Sequence, residues 1–209
     1  MPFALYAQQK ENCILKEDAD AIYVYLCDSE LSDFKEIFVE FEVEATLAQY
    51  TEAVLNVSEY STWQYKCTNQ KIVKQNSQTD FYYYAEIETP WPVDNRDVIF
   101  HLKLYQDPKT QIISQTLEEI PNFIDHYDGI VRIPKAFSTL TLIPIDEQKL
   151  KVNYHLTVDP GGEIPAFIAN AFAAKAPWQT FSNIRKRFVS QGQRKKELDL
   201  VDNYKMVRE

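Results

Sequence analysis

Glycine is scarce, with four in 209 residues. So few leave little room for a Gly-rich phosphate loop or a dinucleotide-binding turn, each of which places several glycines close together. Cysteine is rarer still. Cys13, Cys27 and Cys67 show neither metal-ligand nor redox spacing, which argues against a metal site and against a disulfide framework. No apolar run approaches the roughly 18–20 residues that carry a helix across a bilayer. Met1 to Ala7 lacks the charged and long apolar regions of a secretory leader, so as written the chain reads as cytoplasmic. Were that stretch the stub of a trimmed leader, the location would be periplasmic or secreted. Positive charge is also short: the net charge is −9, and residues 1–60 hold thirteen Asp/Glu against three Lys/Arg. Nucleic acid demands clustered cations, so it is not expected as a partner.

Aromatic residues are plentiful by contrast, with thirteen Tyr and twelve Phe. Rings favour strands, and they also suit the lining of a cavity. Alternation of apolar and polar residues marks strands at Ala21–Cys27 and Phe34–Glu44. A helix capped by Thr46 follows to Val57, then a short helix or turn carrying Trp63. Lys66–Gln75 and Thr79–Glu88 read as a hairpin around Asn76-Ser77. Further strands are expected at Arg96–Gln106, Gln111–Ile120, Ile130–Ile133, Phe137–Ile145 and Leu150–Val158. The last alternates most cleanly, with Leu150, Val152, Tyr154, Leu156 and Val158 facing inward. Short connections imply an antiparallel meander.

The chain ends in a different pattern. After Pro160-Gly161-Gly162, apolar residues from Ile164 through Phe167, Ile168, Ala171, Phe172, Trp178, Phe181, Ile184 and Phe188 recur at helical steps. One long helix is expected there. Cations from Arg185 to Lys196 crowd its end, complementing the helix dipole or meeting a membrane surface. Strands, two short helices, more strands and one long helix define an α+β architecture. A curved antiparallel sheet wrapped around such a helix leaves an apolar gap between them.

Two segments resemble a known family. Pro90-Trp91-Pro92-Val93-Asp94-Asn95-Arg96-Asp97-Val98 is similar to the Pro-Trp-Pro-x-x-x-Arg-Asp stretch of START domains, lipid-transfer modules of the helix-grip (Bet v 1-like) superfamily. Val158-Asp159-Pro160-Gly161-Gly162-Glu163-Ile164-Pro165-Ala166-Phe167 looks like the approach to their C-terminal helix, particularly in bacterial members. Val131-Arg132-Ile133-Pro134 and Leu142-Ile143-Pro144 match the family's habits between them. The resemblance divides the chain into a lead-in, 1–16, a START-like domain, 17–190, and a tail, 191–209. The family's usual N-terminal helix is missing, so one face of the sheet is expected to be less covered.

The resemblance implies non-catalytic binding or transfer of a lipid or other hydrophobic small molecule, with no cofactor and with transient membrane-surface contact. Its lid would be Pro134–Phe137 together with the first turns of the C-terminal helix. Candidate ligand contacts are Tyr83, Ala85, Arg96, Val98, Phe100, Leu102, Tyr154, Phe167, Ala171 and Phe172. Parity turns Ala85 inward and Glu86 outward, although a one-residue bulge would reverse them. Arg96 and Asp97 also read as a clamp on the Pro-Trp-Pro loop, and Trp91 as packing within it. A polyketide cyclase or aromatase on the same scaffold would place its chemistry at Asp125, His126 and Tyr127. A protein-interaction module would need no cavity at all.

Overall fold

The computed structural model describes residues 12–30, 32–191 and 198–202, without the side chains of Ile168, Ala171, Phe172 and Gln191. Ten strands form one sheet: β1 (Cys13–Glu17), β2 (Ile22–Cys27), β3 (Glu36–Glu44), β4 (Cys67–Gln75), β5 (Asp80–Ile87), β6 (Asn95–Gln106), β7 (Ile113–Glu119), β8 (Ile130–Arg132), β9 (Lys135–Asp146) and β10 (Lys149–Asp159). Nine of them run in the order β1-β2-β3-β10-β9-β7-β6-β5-β4. The expected meander is therefore interrupted, because β3 pairs with the last strand, β10. The eighth strand, β8, lies parallel to the start of β6.

Helix α1 (Leu47–Leu55) and a 3-10 turn (Val57–Thr62) fill the crossover from β3 to β4. Thr46 caps α1 through a reciprocal pair of bonds: Gln49 N–H donates to Thr46 Oγ1 at 3.1 Å, and Thr46 N–H to Gln49 Oε1 at 2.8 Å. Inward residues of β10 face matching apolar residues of β9, with Val152 opposite Leu142 and Tyr154 opposite Leu140.

The C-terminal segment is two helices, not one. Helix α2 (Ala166–Phe172) stops, and α3 (Lys175–Gln191) begins after Ala173-Ala174. Pro177 explains the break. It lacks the N–H that would bond the carbonyl of Ala173, and its ring crowds that same carbonyl. Beyond the break, Phe181, Ile184 and Phe188 are buried on one face of α3. Phe181 packs against Phe41 and Tyr154 with ring centres 5.0 and 5.1 Å apart, and Phe188 lies 5.4 Å from Tyr50. The helix is thus gripped by the concave face of the sheet and by α1.

Three further features depart from or go beyond the sequence expectation. Cys13 and Cys27 form a disulfide that ties β1, inside the stretch read as a lead-in, to β2. Asp97 and Ile99, on the face of β6 opposite Val98 and Phe100, are buried because residues 121–128 fold over the convex face. There Phe123 stacks on Tyr82 at 4.4 Å and Tyr127 meets Tyr84 edge-on. Arg132 is also buried, and it binds Asp97 through two contacts of 2.6 and 3.0 Å. The expectation of a missing N-terminal helix, the leader stub at Met1–Ala7 and the cations Arg194, Lys195 and Lys196 all lie outside the described residues.

Candidate functional site

A cavity of about 260 Å³ lies between the concave face of the sheet and α3. That falls just below the roughly 300–1,000 Å³ usual for small-molecule pockets. Its floor comes from β5–β7, where Tyr83, Val98, Phe100 and Leu117 point inward. The far wall is Ala136, Leu140, Tyr154 and Leu156 on β9 and β10. Tyr60 and Trp63 of the crossover close one side, and Pro177 and Phe181 form the roof. A wider groove of about 550 Å³ opens outside the sheet beneath Arg185 and Val189. Glu40, Glu42, Lys149 and Lys151 line it together with Tyr23, Phe41 and Val189, so it is a mixed groove of charged and apolar side chains, somewhat more open than the cavity.

Polar groups around the cavity are few and neutral. Burial pushes the Tyr154 phenol up to about 12, and a hydrogen bond with Ser138 offsets part of the rise. Burial likewise raises Tyr50, Tyr60 and Tyr83. All four therefore remain uncharged phenols. Tyr60 donates to the carbonyl of Val54. The Tyr50 hydroxyl and the Trp63 indole N–H have no partner among the described residues. Glu119 is buried as well, and burial is the main reason that its carboxyl is raised to about 7.

The ten residues expected to touch ligand are dispersed. Tyr83, Val98, Phe100 and Tyr154 line the cavity. Ala85 shares their face, opposite Val98, so it is Ala85 and not Glu86 that stands inward. Glu86 accepts from Asn95 Nδ2 at 3.0 Å instead. Leu102 is fully buried in the core and lies outside the cavity lining.

Arg96 is a tether. Its guanidinium donates to the carbonyls of Asp94, Pro160 (3.4 Å) and Gly161 (3.2 Å). The Pro-Trp-Pro loop is thereby fastened to the turn before α2. Gly161 sits at φ +66°, where a Cβ would stand 2.8 Å from Pro134 Cδ, so only glycine fits. Phe167 is 74% exposed on α2, while the side chains of Ala171 and Phe172 lie outside the described ones. Trp91 does not pack within its loop as expected but stands 93% exposed. Lining residues that periodicity did not single out include Tyr60, Trp63, Gln115, Ile133 and Ala136. The alternation Ile113, Gln115, Leu117, Glu119 carried a signal for the β7 members.

The histidines stand away from the cavity. His101 lies 2.8 Å from Asp80 and His155 2.9 Å from Glu36, both on the convex face. Asp125 and Tyr127 also lie on that side, where the Asp125 carbonyl accepts from Arg132. Among the described residues no group of His, Cys, Asp and Glu is arranged to hold a metal ion, and no helix is long and apolar enough to cross a membrane.

A curved antiparallel sheet gripping a C-terminal helix around an apolar cavity defines a helix-grip domain. No known protein-family profile matches the chain. An uncharacterised Pseudomonas aeruginosa protein is 30% identical over 175 residues, covering 84% of this chain and 86% of its own. The crystal structure of a STAR-related lipid transfer protein fragment from Xanthomonas axonopodis is 28% identical with a TM-score of 0.78, covering 85% of this chain and 98% of that one. Human StAR-related lipid transfer protein 5 reaches the same TM-score at 14% identity, over 90% and 92% of the two chains, which shows a shared fold. The chain is a START-like domain, similar over most of its length to a bacterial one.

Proposed function

We propose that this domain binds and carries a lipid or another hydrophobic small molecule in its cavity, without chemistry. The observation that carries the reading is the apolar cavity of about 260 Å³ between sheet and α3. Each buried methylene contributes about 0.8 kcal/mol, so a dozen carbons give useful affinity without polar contacts. A cyclase is disfavoured by position: Asp125 and Tyr127 face away from the cavity, on the opposite side of the sheet. An interaction module gives no reason for an apolar cavity between the sheet and the helix. The disulfide supports an oxidising compartment, where such bonds persist. Native mass spectrometry of protein purified from a lipid-containing extract tests the function. A bound lipid mass is expected, and protein that remains empty after exposure to short- and long-chain lipids would refute it.

Loading requires an opening, and the break between α2 and α3 supplies one. Asn170 alone among the described side chains of α2 is tied elsewhere, donating to the Asp33 carbonyl at 3.1 Å and accepting from Lys35 N–H at 2.9 Å. In this reading, α2 swings as the lid once the two Asn170 bonds open. The Arg96 tether places Trp91 and Phe167 on segments at this same end of the cavity. These two exposed rings are suited to the interfacial region of a bilayer, where aromatic side chains settle. Membrane contact thus falls to the α2 end. Arg185 and Arg187, by contrast, are engaged with Asp20, Glu42 and Glu59. The double variant Trp91→Ala/Phe167→Ala is expected to slow lipid transfer between vesicles about tenfold while leaving binding in solution unchanged. Equal transfer rates would remove these rings from the docking surface.

A further inference from the structure

Gln115 puts a primary amide into a largely apolar cavity wall. It stands on β7 among the lining residues and is 5% exposed. Register fixes its neighbours. Gln115 pairs with Leu140 on β9, and Leu140 with Tyr154 on β10, so the three share a row across the concave face. Ser138, two residues along β9, is diagonal to both Gln115 and Tyr154.

An amide carries two N–H donors and a carbonyl oxygen with two lone pairs. Buried side chains of this kind ordinarily have partners. The Gln115 amide has none among the described residues. It also differs from the sealed polar atoms nearby. The Tyr50 hydroxyl, the Trp63 indole N–H and Glu119 Oε1 are unpartnered and shut off from any ligand, whereas neither amide atom of Gln115 is shut off. The space onto which it opens is the cavity that it lines. Other polar groups of the lining are accounted for. Tyr60 donates to the Val54 carbonyl, Tyr154 bonds with Ser138, and Thr180 Oγ1 accepts from Tyr65 N–H at 3.0 Å. Gln64 is only half-buried, and Tyr83, packed edge-on against Tyr60, offers a single hydroxyl. A wholly apolar ligand filling this space would strand the Gln115 amide, which is costly. No charged side chain lines the cavity, so an ionised head group would find no counter-charge there.

We propose that Gln115 is the specificity-determining contact of the cavity, and that the ligand carries an uncharged head group able both to donate and to accept a hydrogen bond, a hydroxyl or carboxamide, on an apolar body. The inference rests on the carrier reading above. It narrows the ligand class on two sides. Ionised carboxylates and phosphates lack a counter-charge, and an ether lacks the proton that the Gln115 carbonyl would accept.

The test is calorimetric titration of the intact chain, at about pH 8, with 1-octanol, its isomer heptyl methyl ether, and octanoate. The alcohol is expected to bind about fivefold to tenfold more tightly than the ether, the range of one net hydrogen bond. It is expected to bind at least about a hundredfold more tightly than octanoate. Gln115→Leu, which keeps the bulk and removes the amide, is expected to bind alcohol and ether equally, while Tyr83→Phe keeps the preference. Equal binding of alcohol and ether by the wild type overturns the contact while leaving the carrier intact, and needs no variant to fold. Octanoate binding as tightly as the alcohol overturns the uncharged ligand class. A preference that survives Gln115→Leu, or that vanishes in Tyr83→Phe, takes the contact away from Gln115 and overturns the assignment. Failure of all three compounds to bind overturns the carrier reading and this inference with it.

Discussion

Ala136→Trp is expected to weaken capture of a fatty acyl probe by close to a thousandfold while leaving the melting temperature unchanged or higher. Ala136 is buried on β9, opposite Val158 and within the cavity wall. An indole at this position projects into a void of only about 260 Å³. If it displaces five methylenes of the ligand, each worth about 0.8 kcal/mol, roughly 4 kcal/mol of binding is lost. Stability moves the other way. Enlarging a residue in a tightly packed core strains it by about 1–3 kcal/mol, but here the added atoms occupy space that was empty. The two readouts together separate a filled pocket from a damaged fold. Val98→Phe approaches the same space from β6 and should weaken the probe less, since it adds fewer atoms. Probe binding that survives both variants at full strength would show that the ligand lies elsewhere.

The sheet was largely legible because strand alternation is a local property. Leu150 to Val158 points alternate residues inward whichever strands lie beside it, and β10 keeps the expected parity throughout. What stands beside it is not local. The pairing of β3 with β10 spans the whole domain, and no turn residue announces it. The disulfide was hidden for the same reason: spacing says nothing, whereas the register of β1 against β2 sets Cys13 directly opposite Cys27. The helix break was readable and was passed over. Pro177 stands in the apolar stripe, and reading the stripe without the missing N–H made one helix of two. The same oversight placed Phe167 at the ligand, because periodicity assigns a face only while the helix is continuous. The Pro-Trp-Pro segment marked the right region, and Arg96 clamps it as one of its two readings had it. Trp91, however, faces water, and Asp97 pairs 35 residues away with Arg132.

That pair carries the second large prediction: Asp97→Ala is expected to lower the unfolding free energy by about 3–5 kcal/mol. The side chains of Arg132 and Asp97 are 2% and 1% exposed. Desolvating two charges is costly, and their mutual attraction with a full set of hydrogen bonds offsets it only while both are present. Removing Asp97 leaves the guanidinium in the convex-side core hydrogen-bonded only to the carbonyls of Pro121, Ile124 and Asp125. For a domain of ordinary stability, about 5–15 kcal/mol, that is a large share of the whole. Arg132→Met fails differently. It frees the carbonyls of Pro121, Ile124 and Asp125 and so loosens the 121–128 segment that covers Ile99 and Tyr84. The double variant Asp97→Ala/Arg132→Met should recover at least 1 kcal/mol relative to the sum of the singles, since neither charge is then left alone. Urea unfolding of the four proteins measures the coupling directly. Strictly additive losses would mean that the two groups do not support one another, and that the convex cover is held by its stacked rings rather than by this ion pair.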